Sequence, residues 1–149
     1  MLEQQNVKAV QECYAAYGRK DLDKFFACMT PDIDWELTDV PGLAFTGKRK
    51  GCEQVADYFD QFDKKLAVRE FAPREYIAQG DKVVVLGHSA WTAKETNVHI
   101  ESDWVHVFTL VDGRVSAFRE YLGSHLGAEC LECAPLAAGT AAGTHPAPH

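Results

Sequence analysis

Apolar residues recur at helical spacing early in the chain and at every second position after residue 66. Val7, Val10, Tyr14 and Tyr17 fall on one helical stripe, and Gly18 follows as a stop. Asp21 is placed to cap a short second helix carrying Leu22, Phe25, Phe26 and Met29, which Pro31 ends. A strand is expected over Asp32–Leu37, then a loop rich in Pro and Gly (Pro41, Gly42, Gly47, Gly51). The third helix runs from about Cys52 to Leu66, with Val55, Phe59, Phe62 and Leu66 on one side.

From there the period is two. Val68–Ala78 reads as a strand in which Pro73 marks a sheet edge or a bulge. Gly80-Asp81 is a turn, and Lys82–Ala93 and Val98–Leu110 form long strands around the polar turn Lys94–Asn97. Asp112-Gly113 is a hairpin signal, and Arg114–Gly123 returns as the last strand. Helices first and antiparallel strands afterwards predict an α+β domain, three helices on one face of a curved sheet. Beyond Leu136 no bulky apolar residue occurs, so the chain divides into a domain over 1–127 and an expected flexible tail over 128–149.

Composition narrows the function more than the fold. A length of 149 residues suits one domain, and a net charge of -7 disfavours nucleic acid as a partner. The run Lys48-Arg49-Lys50, between Gly47 and Gly51, reads as a solvated loop. No apolar stretch is long enough for a bilayer, and the first residues lack the basic start and apolar block of a secretory signal. Five cysteines are an odd number, and Cys13, Cys28 and Cys52 fall in helical patterns, which suits reduced thiols and a cytoplasmic setting.

Ionisable residues interrupt three apolar faces. Alternate positions from Val98 give Ile100, Ser102, Trp104, His106, Phe108 and Leu110, with an imidazole at the centre. The preceding strand puts His88 with Val84, Leu86 and Ala90; the last puts Glu120 between Phe118 and Leu122; the first puts Trp35 with Leu37. A charge buried without a partner is costly, so each group must be neutral, paired or beside a pocket. Any one alone reads as an ordinary hydrogen-bonded residue. Three facing one hollow with Trp35 and Trp104 read as an apolar pocket with a polar floor. The hairpin decides whether they do. A two-residue loop at Asp112-Gly113 pairs Val111 with Arg114 and gives His106 the face of Arg119 and Tyr121. A three-residue loop pairs Leu110 with Arg114 and makes Glu120 a diagonal neighbour of His106.

The element order, together with DWVHVFTLVDGRVSAFREYLG, Gly80-Asp81 and Arg19-Lys20-Asp21, resembles the SnoaL-like, ketosteroid-isomerase-related proteins of the NTF2-like superfamily over about residues 3–127. The resemblance implies a cone around a deep apolar pocket, a homodimer through the outer sheet face carrying Val105 and Val107, and a pocket acid at Glu120. The last point favours the three-residue loop. Ketosteroid isomerases place their base where this chain has Leu37 and their donors where it has Cys13 and Trp104, with Tyr14 adjacent, so that design lacks its base here. Limonene-epoxide hydrolases place their arginine at His88, their acids at Ala90 and Glu120, and their polar pair at Trp35 and Leu37. The SnoaL-type cyclases depend on one pocket acid, matched by Glu120.

The expectation is therefore a site for a small hydrophobic or aromatic ligand, without a cofactor. Glu120 would serve as general base, His106 as donor to a developing enolate oxygen, and His88 in the same role or steadying the acid. Trp35 and Trp104 would be flat walls, with Tyr14, Leu37, Phe108, Phe118 and Leu122 completing the lining. A non-catalytic binding protein and a dimerisation module are the alternatives. His88, His106 and Glu120 are the residue types of a two-histidine, one-carboxylate metal site but lack diagnostic spacing, so no metal is expected. Cys130 and Cys133 form a lone C-x-x-C, read as two free thiols; His99 falls on the outer face with Glu101 and Asp103, and His125, His145 and His149 face solvent.

Overall fold

Helix α1 spans Leu2–Gly18 and α2 Leu22–Ala27; β1 (Met29–Leu37) and β2 (Lys48–Lys50) precede α3 (Gly51–Lys65). Four long strands follow: β3 (Leu66–Gln79), β4 (Lys82–Ala93), β5 (His99–Val111) and β6 (Arg114–Leu122). This is a computed structural model, and it describes residues 2–40, 43 and 46–123. The expected tail, Cys130, Cys133 and the three C-terminal histidines lie outside the described residues. Among the described residues no helix is long and apolar enough to cross a membrane.

The six strands form one mixed, curved sheet in the order β2-β1-β6-β5-β4-β3, with only β1 and β6 parallel. The three helices pack on one side of it, so this is an α+β cone of the NTF2-like type. Local chemistry accounts for most boundaries. Asp21 caps α2 by accepting from the Lys24 amide at 3.2 Å. Pro73 sits in edge strand β3 beside a register shift between Pro73 and Glu75, where a missing N–H is least harmful.

Three expectations need correction. Met29 opens β1 instead of closing α2, and Pro31 is accommodated inside the strand, where the pairing with β6 slips between Met29 and Asp34. Lys48–Lys50 is a strand and not a free loop: Arg49 meets Asp57 at 2.8 Å and Lys50 meets Asp34 at 3.0 Å, which offsets its charge at the sheet edge. The third concerns the hairpin. Asp112 (φ 51) and Gly113 (φ 79) form a two-residue turn with Val111 opposite Arg114, not the three-residue loop. A bulge at Ser116 then inserts one extra residue, and the Ser116 hydroxyl donates to the Thr109 carbonyl at 3.2 Å. Below it Phe108 pairs with Phe118, His106 with Glu120 and Trp104 with Leu122. The carboxylate reaches the histidine's face by a bulge.

Candidate active site

The concave face of the sheet and the three helices enclose a cavity of about 100 Å³. Its wall is aromatic, including Tyr14, Tyr17, Trp35, Tyr58, Phe59 and Phe118, and its polar side chains include His106 and Glu120. Trp35 stacks on Phe118 with centroids 4.0 Å apart, making one flat wall.

His106 is 4 % exposed and bonded at both ring nitrogens. Nδ1 lies 2.7 Å from the Tyr14 hydroxyl, and Nε2 lies 2.9 Å from Glu120 Oε2. Burial, with smaller contributions from Tyr76, Cys13 and Glu120, holds the Tyr14 phenol well above its ordinary pKa, so it remains a donor. A carboxylate only accepts. The tautomer that satisfies the whole chain therefore has Tyr14 O–H donating to Nδ1 and Nε2–H donating to Glu120. Two other cavity phenols also keep their protons. Burial, then Asp63 and Glu120, pushes Tyr17 up to about 12; burial, then Glu120, raises Tyr58 well above the ordinary value.

Glu120 is held from its backbone. The Thr38 amide and hydroxyl both donate to its carbonyl, at 3.1 and 2.9 Å, and the Leu122 amide donates back to the Thr38 hydroxyl at 3.2 Å. Leu37, its parallel partner in β1, covers the carboxylate's flank. The Glu120 side chain is 15 % exposed, which leaves it open to a ligand.

Tyr14, Trp35, Leu37, His106, Phe108, Phe118 and Glu120 are thus brought to one hollow. His88 is not. It lies opposite Asp103 on the outer face, within 2.8 Å of Asp103 and 2.9 Å of Glu101. The face toward the cavity carries Val83, Val85, Gly87 and Ser89 instead, because Val85 pairs with His106 and Gly87 with Trp104. Ala90 is also on the outer side, so the epoxide-hydrolase correspondence at His88 and Ala90 does not apply to the cavity. Nor can His88 join His106 and Glu120 around a metal; among the described residues no three such side chains cluster to hold one. Trp104 is not a cavity wall. It is 2 % exposed, stacked between His106 (3.8 Å) and Phe71 (5.3 Å), and its indole donates to Ser89 at 2.7 Å. Leu122 lines a smaller neighbouring cavity.

Sequence pattern gives Thr38, Ser89, Tyr58 and Trp91 no role in the site, and it puts Tyr17 on the α1 stripe without one. Tyr58 follows Val55 at helical spacing, which would have found it; Thr38 leaves no signal beyond ending a strand. Among the described residues the buried Trp35 indole N–H has no hydrogen-bond partner, a local cost of about 1–3 kcal/mol.

Three helices over a curved mixed sheet, with a tyrosine–histidine–carboxylate chain in an aromatic hollow, define an NTF2-like α+β protein. Over residues 10–118 the chain matches the SnoaL-like domain, and it belongs to that family. Among solved structures it is similar to an NTF2-like protein from Burkholderia xenovorans, at 29 % identity over 87 % of this chain and 97 % of that one, TM-score 0.78. An NTF2-like protein of unknown function from Burkholderia pseudomallei shares 27 % identity over 85 % and 97 %, TM-score 0.76. TerC, co-crystallised with polyporic acid, shares 26 % over 86 % and 98 %, TM-score 0.75. A comparison with curated proteins finds no match.

Proposed function

We propose that the chain binds a small, largely aromatic molecule in this cavity and acts on it by acid–base chemistry without a cofactor. The observation that carries the reading is the Tyr14–His106–Glu120 chain set in an otherwise apolar wall. Glu120 Oε2 accepts from His106, which leaves Oε1 to take a proton from carbon next to a ligand carbonyl. The electron pair released moves to the carbonyl oxygen. That oxygen is met by the Tyr17 phenol, which keeps its proton, since the single Tyr14 hydroxyl hydrogen is given to His106 Nδ1. His106, engaged on both sides, orients Tyr14 and Glu120 and is a positioning residue. The 26 %-identical TerC, co-crystallised with polyporic acid, supports an aromatic ligand for this chain also.

Proton exchange tests the base directly. In D₂O the wild type should introduce deuterium into the enolisable probe beta-tetralone above the buffer rate, and Glu120→Gln should lose about 10²-fold or more of that increment. Equal exchange in both proteins, or none above buffer, would overturn the assignment. A second reading, binding without turnover, is favoured by the engagement of both His106 nitrogens. Polyporic acid that binds wild type and Glu120→Gln alike, with no exchange in either, is its expected signature.

A further inference from the structure

Ser89 is a polar cavity side chain that the acid–base chain does not use, and it is 1 % exposed. Its surroundings follow from the strand. It lies two residues beyond Gly87 on the inner face of β4, and the missing Gly87 side chain leaves the space that the Trp104 indole fills. The indole then donates to Ser89 Oγ at 2.7 Å. The same indole stacks on His106 at 3.8 Å, and His106 meets Glu120 at 2.9 Å on its other side. Strand β5 carries both rings, with β4 and Ser89 on one flank and β6 and Glu120 on the other. A molecule touching Ser89 and Glu120 together has to span the Trp104–His106 pair. A serine hydroxyl has one hydrogen to give and two lone pairs to offer. Trp104 occupies a lone pair, and among the described residues the hydrogen has no acceptor. Buried polar groups are seldom left in that state. The side chains around this end of the cavity are apolar: Phe71, the partner of Ser89 in β3, with Val68 and Trp91. The missing acceptor has to come from what fills the cavity.

We infer that Ser89 is a specificity-determining residue, whose hydroxyl donates to an oxygen at the end of the ligand remote from Glu120. The inference rests on the reading of this cavity as a ligand site, and it narrows the ligand to a class. That class is a two-ring aromatic molecule with an enolisable carbonyl at one end and an acceptor oxygen, carbonyl or ether, at the other. Glu120 meets the first end and Ser89 the second. Trp104 is the positioning residue: its N–H holds Oγ by one lone pair and so turns the serine hydrogen away from the indole. No covalent bond is made or broken at Ser89.

The test compares methoxy-beta-tetralone with ethyl-beta-tetralone, each substituted at the aromatic carbon farthest from the ketone. The two probes have one length, and a methylene group replaces the ether oxygen in the second. Their dissociation constants are measured on the full chain by tryptophan fluorescence. A purely apolar pocket end favours the ethyl compound. Donation from Ser89 reverses that order, so the wild type should bind the methoxy compound roughly 3–10-fold more tightly. In Ser89→Ala the order should return to ethyl over methoxy. A serine that only supports Trp104 would weaken both probes by one factor and leave their ratio unchanged, which overturns the inference. An ethyl preference in the wild type overturns it as well, and that comparison holds even if Ser89→Ala does not fold. Deuterium exchange separates this outcome from the base assignment. Ethyl preference with exchange that depends on Glu120 removes Ser89 and keeps the base. Methoxy preference lost in Ser89→Ala, with equal exchange in wild type and Glu120→Gln, keeps Ser89 and removes the base. Binding of neither probe overturns both.

Discussion

Gly87 is where the fold and the site depend on one missing methyl group. A Cβ there would sit 2.4 Å from Cζ2 and Cη2 of Trp104 and 2.8 Å from the Ala72 carbonyl oxygen. Carbon atoms in contact are about 3.5–4.0 Å apart, so the clash exceeds 1 Å, roughly a third of a contact distance. Neither neighbour yields easily. Ala72 presents backbone in a paired strand, and Trp104 is pinned between His106 and Phe71 with its indole bonded to Ser89. Overpacking of this kind costs about 1–3 kcal/mol, and two unyielding contacts put Gly87→Ala at the upper end. The stiffer unfolded chain returns about 0.4–1 kcal/mol, for a net loss of about 2 kcal/mol. For a domain of this size that lowers Tm by roughly 5–8 °C. Gly18→Ala is the control, since a Cβ there meets nothing within 4 Å, and it should be neutral or slightly stabilising. The assay is urea and thermal unfolding followed by tryptophan fluorescence. A Gly87→Ala protein as stable as the wild type would refute the packing argument.

Other outcomes follow from the same geometry. Tyr14→Phe removes the donor to a buried imidazole nitrogen and should cost about 1–3 kcal/mol in urea unfolding; an unchanged midpoint would mean Nδ1 has another partner. His88 bonds to Asp103 first and Glu101 second, which raise its pKa above 6.5 in the folded state. Its contribution to stability is therefore complete below about 6.5 and lost as pH rises through the raised value. The stability difference between wild type and His88→Gln should shrink in going from pH 6 to pH 9, and a difference that grows would reverse the sign. Addition of polyporic acid should quench tryptophan fluorescence, because Trp35 and Trp91 line the cavity, and Trp35→Phe should reduce the quench.

How much could be read beforehand varied with the kind of signal. Element types followed from periodicity, and the β4 bounds came out as expected, because Gly80-Asp81 and the Lys94–Asn97 turn punctuate that strand. Face assignment failed on the same strand. Val83, Val84, Val85 and Leu86 are all apolar, so alternation has no contrast there, and His88 was placed on the wrong side. On β5, where Glu101 and Asp103 oppose Ile100 and Trp104, the face was legible and His106 was placed inward. The hairpin turn follows from Asp-Gly, but a bulge at Ser116 has no sequence mark. Two one-residue shifts add there: the two-residue loop moves the pairing by one and the bulge by one more, so the face is kept and Glu120 lies directly opposite His106 instead of diagonal to it. Tyr14 lies one position from the helix's most buried line (Asn6, Val10, Cys13), close enough for its ring to reach the cavity.

The proposed ligand binds against the Tyr14–His106–Glu120 chain. The most direct measurement is ¹⁵N NMR of histidine-labelled protein during titration with polyporic acid. The His106 ring resonances should begin as an Nε2–H tautomer and shift to saturation as the ligand is added, while those of outer-face His88 stay still. Shifts at His88 with His106 unmoved, or no shift at any histidine, would contradict it.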